Sequence, residues 1–205
     1  MRYIFFTIFA MLSLCACGTK QSDNNNETMN NGKSIVVFFS HAGENYSVGN
    51  IKEGNTKLVA DIISEQTGAD RLEIICLKDY NMAYGALCDL AKEEQQNGEL
   101  PGFTLMMNGE PVGGIVNFDD YTTVYIGGPV WWGTYPQVMF SFFKQYDLND
   151  KTILPFTTHE GSGLGSCVSD LKKIYSKAAF GKAFSLYGHE VRTEAGREKV
   201  ENWIK

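Results

Sequence analysis

Five short apolar runs alternate along this chain with longer segments whose apolar residues recur at helical spacing. The first run, residues 35–39, is continuously apolar, which is typical of a strand buried on both faces of a sheet. The five runs predict strands at residues 35–39, 72–76, 123–126, 152–157 and 183–186. The segments between and after them predict helices at residues 55–67, 82–97, 137–145, 164–175 and 193–204. This alternation favours a single α/β domain in which helices cover both faces of a parallel sheet.

Two helix ends carry capping signals, and one long stretch shows no helical or strand pattern. Gly68 predicts the C-cap of the first helix, and Thr193 before Glu194 predicts the N-cap of the last. Residues 98–122 are rich in glycine and show no clear period, so they are predicted to be irregular.

The first 16 residues have the pattern of an exported protein. Arg2 precedes an apolar run that is too short to span a bilayer as a mature helix and has the length of a signal-peptide core. The run ends in a segment that resembles the bacterial lipobox. Cys17 fits the lipidated position because the small Ala16 precedes it, whereas bulky Leu14 precedes Cys15. The alternative is an ordinary secretory peptide with incidental cysteines.

The segment after the signal peptide contains almost no apolar residues, so it cannot offset the entropy of ordering and is predicted to be a flexible tether. The chain therefore divides into a signal peptide at 1–16, a lipidated Cys17 with its tether at 17–33, and one domain at 34–205. We expect the domain to be exported and anchored by lipid to a bacterial membrane, on its periplasmic or surface side.

Net charge and cysteine spacing argue against several classes of protein and of site. The formal net charge is −6 and no basic stripe is present, which argues against a nucleic-acid partner. The domain carries three cysteines, Cys76, Cys88 and Cys167, without C-x-x-C spacing. This pattern argues against a disulfide framework and against a metal site, and each cysteine is expected to be a small buried apolar residue.

Loops that follow the first, third and fourth predicted strands hold the chemistry-bearing residues. After the first strand come Ser40, His41, Ala42 and Gly43, and then Asn55 and Thr56 open the first helix. Small residues and hydroxyls before a helix N-terminus indicate an anion site, because free N–H groups and the helix dipole favour negative charge. A plain N-cap with turn residues is the alternative.

The second and third loops indicate a flat ring ligand. Two adjacent tryptophans, Trp131 and Trp132, lie between glycines after the third strand, and at least one is expected to face outward and stack on a ring. The alternative for one of them is packing beneath the loop. After the fourth strand, Gly161 and Gly163 allow close approach of the backbone to a ligand.

Together, the three loops resemble those of the flavodoxin-like family, in its short-chain form with a W-W-G loop. The segments that carry the resemblance are Ser40-His41-Ala42-Gly43 with Gly54-Asn55-Thr56, Gly128-Pro129-Val130-Trp131-Trp132-Gly133 and Thr158-His159-Glu160-Gly161-Ser162-Gly163. The resemblance covers residues 34–205. It implies a three-layer α/β sandwich with a five-stranded parallel sheet in the order 2-1-3-4-5.

The resemblance also implies one non-covalently bound FMN. The first loop and helix would hold the phosphate, the second loop would stack on the isoalloxazine, and the third would cover its pyrimidine end. The residues so implied are Ser40, His41, Ala42, Gly43, Asn55, Thr56, Lys57, Pro129, Val130, Trp131, Trp132, Gly133, Thr158, His159, Glu160, Gly161 and Gly163. One departure from the family is an insertion at residues 44–53, expected near the ribityl chain, where it covers the site or touches a partner.

Three functions remain open on the sequence. The leading one is electron transfer between redox partner proteins, which needs no catalytic acid or base because the cofactor does the chemistry. The second is an FMN-dependent NAD(P)H or quinone oxidoreductase, which needs an open cavity beside the ring. The third is a module on the same fold that binds a ligand other than a flavin. His41 and His159 would tune the cofactor's electrostatics or serve as ordinary polar loop residues.

Overall fold

The computed structural model of the protein describes residues 32–205. The predicted signal peptide, Cys17 and the tether up to residue 31 lie outside these described residues. The first strand begins at Lys33, one residue before the predicted domain boundary. Between residues 32 and 205, no helix combines the length and the apolar character needed to cross a membrane.

The described chain alternates strands and helices as the apolar pattern predicts. The strands are β1 Lys33–Phe39, β2 Gly43–Asn45, β3 Gly49–Ile51, β4 Asp70–Cys76, β5 Phe103–Met107, β6 Glu110–Pro111, β7 Tyr121–Pro129, β8 Thr152–His159, β9 Ala179–Phe180 and β10 Phe184–Tyr187. The helices are α1 Asn55–Thr67, α2 Tyr84–Asn97, α3 Gln137–Gln145, α4 Cys167–Ile174 and α5 Glu194–Ile204.

Five parallel strands form the centre of the sheet in the order β10-β8-β7-β1-β4. Numbered among themselves along the chain, these strands have the order 2-1-3-4-5. The predicted fold is therefore confirmed. Side chains of β1 alternate between two apolar clusters, with Val37 facing α3 and Phe38 facing α1 and α5. Helices on both faces of the sheet give the three layers.

The sheet has more strands than the predicted five. β5 and β6 form an antiparallel hairpin beside β4, so the prediction that residues 98–122 are irregular is wrong. The turn between these strands is Asn108-Gly109, with φ of 51° and 91°. An Asn-Gly pair with positive φ at both residues matches the twist of a two-residue hairpin. β9 adds a further short strand, which pairs with the start of β8.

Two capping residues lie at helix ends as predicted, and left-handed glycines move the start of another helix to a later residue. Gly68 caps α1 in the left-handed conformation, and Thr193 Oγ1 accepts a hydrogen bond from the N–H of Gly196 at 3.0 Å. The predicted helix at 164–175 begins only at Cys167. Gly163 and Gly165 have φ of 58° and 49°, a left-handed backbone that an α-helix does not tolerate.

The three cysteines of the domain are free thiols, and only one of them is buried. Cys167 is fully buried at the start of α4, whereas Cys76 and Cys88 are partly exposed. The expectation of burial is thus wrong for Cys76, at the end of β4, and for Cys88, on the face of α2 that meets the loop after β7.

Candidate functional site

The loops that follow β1, β7 and β8 enclose a cavity of about 290 Å³. It lies beyond the carboxyl ends of these parallel strands, where ligands bind in open α/β sheets. All three loops that the sequence singles out contribute to its wall. The predicted residues that line it are His41, Asn55, Thr56, Pro129, Val130, Trp131, Thr158, His159 and Glu160.

One end of the cavity is the N-terminus of α1. Gly54 occupies the N-cap position and has no side chain to bond to the helix. Ser40 Oγ accepts the N–H of Lys57 at 2.9 Å. The backbone N–H groups of Asn55 and Thr56, as the first in the helix, have no intrahelical acceptor. This end therefore presents free donors and a positive helix dipole to an anion.

Close backbone packing brings the first loop to this helix end. A Cβ on Gly54 would lie 2.5 Å from the carbonyl oxygen of His41 and would collide with Ser40 Oγ. Glycine at this position therefore lets the chain pass beneath the loop before α1 begins.

A buried hydroxyl pair joins the first loop region to the third. Thr56 Oγ1 lies 2.7 Å from Thr158 Oγ1, and both side chains are almost fully buried. The pair fixes the start of α1 against the end of β8, so the two walls of the cavity are held at a set separation.

The loop after β10 adds residues that the sequence interpretation missed. Gly188 lines the cavity, and a Cβ there would lie 2.8 Å from Glu160 Oε1 and collide with the Asn55 amide. The Arg192 guanidinium donates to Asn55 Oδ1 and to the carbonyl of Glu53. Asn55 is thus fixed at the anion end with a positive charge beside it.

His41 is a buried imidazole in the wall of this cavity. Its Nε2 is shielded from solvent and has no hydrogen-bond partner among the described residues. The ring meets Trp131 edge-on, with the ring centroids 5.8 Å apart. Burial lowers the pKa of His41 below its ordinary value, and a backbone hydrogen bond to Glu44 opposes that shift. The imidazole is therefore neutral near pH 7.

Trp131 is held in the wall of the cavity by edge-on aromatic contacts. Its ring lies 5.6 Å from Phe39 and 5.3 Å from Tyr80, measured between centroids. Tyr80 in turn donates its hydroxyl to buried Glu94 at 2.9 Å. Trp131 is half-buried and joins the core cluster while one side lines the cavity.

Trp132 takes part in a tight turn and faces away from this cavity. The N–H of Trp131 donates to Thr134 at 2.8 Å and the N–H of Thr134 donates back at 3.2 Å. Trp132 and Gly133 between them have φ of 49° and 85°, which defines a type I′ turn. A bulky residue in this left-handed region costs about 1–3 kcal/mol, so its neighbours must hold it there.

Helix α2 supplies the contacts that hold Trp132. The indole N–H donates to the carbonyl of Cys88 at 2.8 Å, Lys92 Nζ lies 4.9 Å from the ring centroid, and Gln95 donates to the Trp132 carbonyl at 3.2 Å. These three positions share one face of α2 because they are four and three residues apart. The turn is therefore fixed onto α2.

The third loop is ordered by its own polar side chains. His159 Nδ1 accepts the N–H of Gly161 at 2.9 Å. Burial lowers the pKa of His159, and the charges of Glu160 and Glu190 oppose that shift. The carboxylate of Glu160 contacts His189 at both the backbone N–H and the ring. Glu160 therefore links the third loop to the loop after β10.

The predicted insertion folds as the antiparallel hairpin β2–β3 and covers one side of the cavity. Asn45 and Tyr46 from the hairpin and Tyr84 from α2 line the cavity, and sequence reasoning missed all three. Glu44 Oε2 accepts the N–H of Tyr84 at 2.8 Å, and the rings of Tyr46 and Tyr84 are 5.8 Å apart. An aromatic residue within a polar insertion is the signal that marks Tyr46.

Several predicted residues lie outside the cavity wall. Lys57 points along the outer face of α1, where its Nζ contacts Glu53 and Asp61 at 2.9 Å each. Ser40 supports the helix end from behind. The predicted residues that do not line this cavity are Ser40, Ala42, Gly43, Lys57, Trp132, Gly133, Gly161 and Gly163.

A match to a known family accompanies this geometry. The family model described as flavodoxin matches residues 33–205, which is the whole domain from the start of β1. The chain belongs to the flavodoxin family. No curated protein matches this flavodoxin.

Solved structures share its fold. A putative flavoprotein from Bacteroides uniformis is 25% identical with a TM-score of 0.63, and the match covers 84% of this chain and 97% of that one. A putative flavoprotein from Bacteroides eggerthii is 24% identical with a TM-score of 0.63, covering 85% and 96%. A flavoprotein from Lactobacillus acidophilus, solved in complex with FMN, is 18% identical with a TM-score of 0.58, covering 85% and 99%.

Proposed function

We propose that this flavodoxin holds one FMN non-covalently and carries electrons between redox partner proteins. The observation that carries the proposal is the cavity itself. Its wall joins a helix N-terminus with free N–H groups, at Asn55 and Thr56, to an aromatic surface at Trp131. A site for an anion and an aromatic surface for a flat ring match the phosphate and the isoalloxazine of FMN.

The residues of the site fit this cofactor. Asn55 and Thr56 would hold the phosphate, Trp131 would contact the ring, and the third loop from His159 to Ser162 would meet its polar edge. The unpartnered Nε2 of His41 is a buried polar atom that a ligand would satisfy. When bound, FMN supplies reversible transfer of electrons.

The fold likeness to a flavoprotein solved with FMN supports the same cofactor here. The net charge of −6 supports docking to basic surfaces on partner proteins, with association rates that fall as salt screens the attraction. The protein itself needs no general acid or base for this function.

Electron transfer is tested against direct oxidation of NADPH. The chain is loaded with FMN, freed of excess cofactor and mixed anaerobically with NADPH. A carrier keeps its flavin oxidised, whereas after reduction by dithionite it passes electrons to cytochrome c. Bleaching of the flavin by NADPH alone would contradict the carrier role and favour the oxidoreductase.

We also propose that Cys17 carries a lipid that anchors the exported protein to a bacterial membrane. The apolar run before it and the small Ala16 beside it support this. Labelling cells with a radioactive fatty acid tests the proposal. Cys17→Ser abolishes the label and releases the protein from membranes, and the matched variant Cys15→Ser does neither. A labelled Cys17→Ser protein would contradict it.

A further inference from the structure

Arg192 lies in the loop between β10 and α5 and reaches back to the N-terminus of α1. Its guanidinium donates one hydrogen bond to Asn55 Oδ1 and another to the carbonyl oxygen of Glu53. These bonds join parts of the chain that are 137 and 139 residues apart in sequence. Arg192 does not itself line the cavity, whereas Asn55 does. Any effect of Arg192 on a ligand is therefore exerted mainly through Asn55.

The positive charge of Arg192 has no negative partner within the part of the chain that the structure describes. Arg71 forms an ion pair with Asp61. Arg197 forms one with Glu65 at 2.7 Å. Between residues 32 and 205, no carboxylate lies within ion-pair distance of Arg192, whose two partners are a neutral amide and a neutral carbonyl. A positive charge is thus left at this helix end for an anionic ligand.

Arg192 also fixes which end of the Asn55 amide meets the cavity. A guanidinium only donates hydrogen bonds, so the amide oxygen must face it. The amide nitrogen then lies against Gly188, where an added Cβ would collide with it. Asn55 and Gly188 both line the cavity, and Asn55 Nδ2 has no acceptor among the described residues. Its two N–H groups are therefore available to an oxygen atom of a ligand.

The same end of the cavity holds a negative charge that binding of an anion must overcome. Glu160 lines the cavity, and its Oε1 would lie 2.8 Å from a Cβ on Gly188. The same oxygen accepts the backbone N–H of His189 at 2.8 Å, a bond that leaves the carboxylate charged. Arg192 supplies the opposite charge, and an amide bonded to a cation is a stronger donor to a charged phosphate.

We propose that Arg192 is a positioning residue that makes this site selective for a flavin with a phosphate over one without. It turns the N–H groups of the Asn55 amide toward the phosphate oxygens and places a positive charge behind them. The proposal rests on the proposed function, since the cavity is the one assigned to FMN.

The test compares the affinities of the full chain for FMN and for riboflavin, which lacks the phosphate, by fluorescence titration. Arg192→Gln removes the charge and the paired hydrogen bonds. We expect it to weaken FMN binding by roughly tenfold or more and riboflavin binding by less than about threefold. The matched control is Arg197→Gln, which removes the same charge and a contact with Glu65 in the last turn of α1. It leaves both affinities unchanged.

A second comparison shows whether Arg192 acts through Asn55. In an Asn55→Ala chain, the amide that Arg192 orients is absent. Arg192→Gln should then weaken FMN binding by less than about threefold further, because the two side chains act as one unit. A residue that only stabilised the fold would cause the same loss with and without Asn55.

Four results would overturn the role of Arg192 while leaving the flavin proposal in place. They are an unchanged FMN affinity in Arg192→Gln, equal losses for FMN and riboflavin, an equal loss in Arg197→Gln, and a full tenfold loss in the Asn55→Ala chain. A folded wild-type chain that binds neither flavin would instead overturn the proposed function, and the role of Arg192 with it.

Discussion

Thr56 and Thr158 share one hydrogen bond across 102 residues of chain, with their hydroxyl oxygens 2.7 Å apart in the buried wall of the site. The bond joins the start of α1 to the end of β8. It therefore sets the distance between the loop proposed for the phosphate and the loop proposed for the ring edge.

Replacing one member of this pair should cost more than replacing both. Thr56→Val or Thr158→Val leaves a buried hydroxyl without its partner, at a cost of about 1–3 kcal/mol in the free energy of unfolding. The double variant removes both hydroxyls and should be less destabilised than the sum of the two. Urea unfolding of the wild type, the two single variants and the double variant gives the coupling free energy between the two hydroxyls. Strict additivity would show that the hydroxyls do not interact.

Gly188→Ala should weaken FMN binding at the phosphate end. The new Cβ would collide with the Asn55 amide and approach Glu160 Oε1 to 2.8 Å, so it displaces the helix end that the phosphate contacts. We expect a loss of about tenfold or more in FMN affinity. Riboflavin lacks the phosphate and should lose less. Gly113→Ala, whose Cβ meets open space, is the control, and an equal loss for both ligands would contradict this assignment.

The two tryptophans should differ in their effect on the flavin. Trp131 lines the cavity assigned to FMN, whereas Trp132 lines only a neighbouring cavity beside α2. Because stacking and burial of one aromatic ring are lost, Trp131→Ala should weaken FMN binding by about tenfold or more. Trp132→Ala should weaken it by less than about threefold. Fluorescence titration measures both. A larger loss in the Trp132 variant would place the ring against α2 instead.

Acid should destabilise the apo-protein partly through His41. Burial lowers its pKa in the folded state below the ordinary 6.5, so the unfolded chain binds the extra proton more readily. The contribution of neutral His41 to stability is therefore fully present above the ordinary pKa of 6.5, and it is lost as pH falls through the folded pKa. His159, whose pKa is also lowered, acts in the same direction.

The variant His41→Gln keeps a polar side chain and removes this titration. Urea midpoints at about pH 7.5 and about pH 5.5 should differ less in the variant than in the wild type, with His159 accounting for the remainder. If the urea midpoint changes equally between the two pH values in both proteins, the pKa of His41 is not lowered by folding.

The parallel core of the fold was predictable because short apolar runs alternate along the chain with segments of helical spacing. Residues 35–39 form a continuous apolar run, which is typical of a strand covered on both faces. The edge hairpin was missed although Asn108-Gly109 is a strong turn signal. Its flanking strands are short, and they lie within a stretch where glycines obscure the alternation.

The site was predictable where it follows buried strands and not where it depends on remote contacts. His41 and Trp131 lie two residues after the ends of β1 and β7, and His159 is the last residue of β8. Tyr84 and Gly188 enter the cavity from α2 and from the end of β10, and nothing in their local sequence indicates this. Lys57 shows the opposite error, because helical phase turns it to the outer face of α1.

Titration of the purified apo-protein with FMN tests the central claim most directly. We expect one FMN per chain, a red-shifted or structured visible spectrum and quenched flavin fluorescence, with binding complete at micromolar cofactor. Absence of binding at micromolar FMN, in a protein whose cooperative unfolding shows it to be folded, would contradict the account and assign the cavity to another ligand.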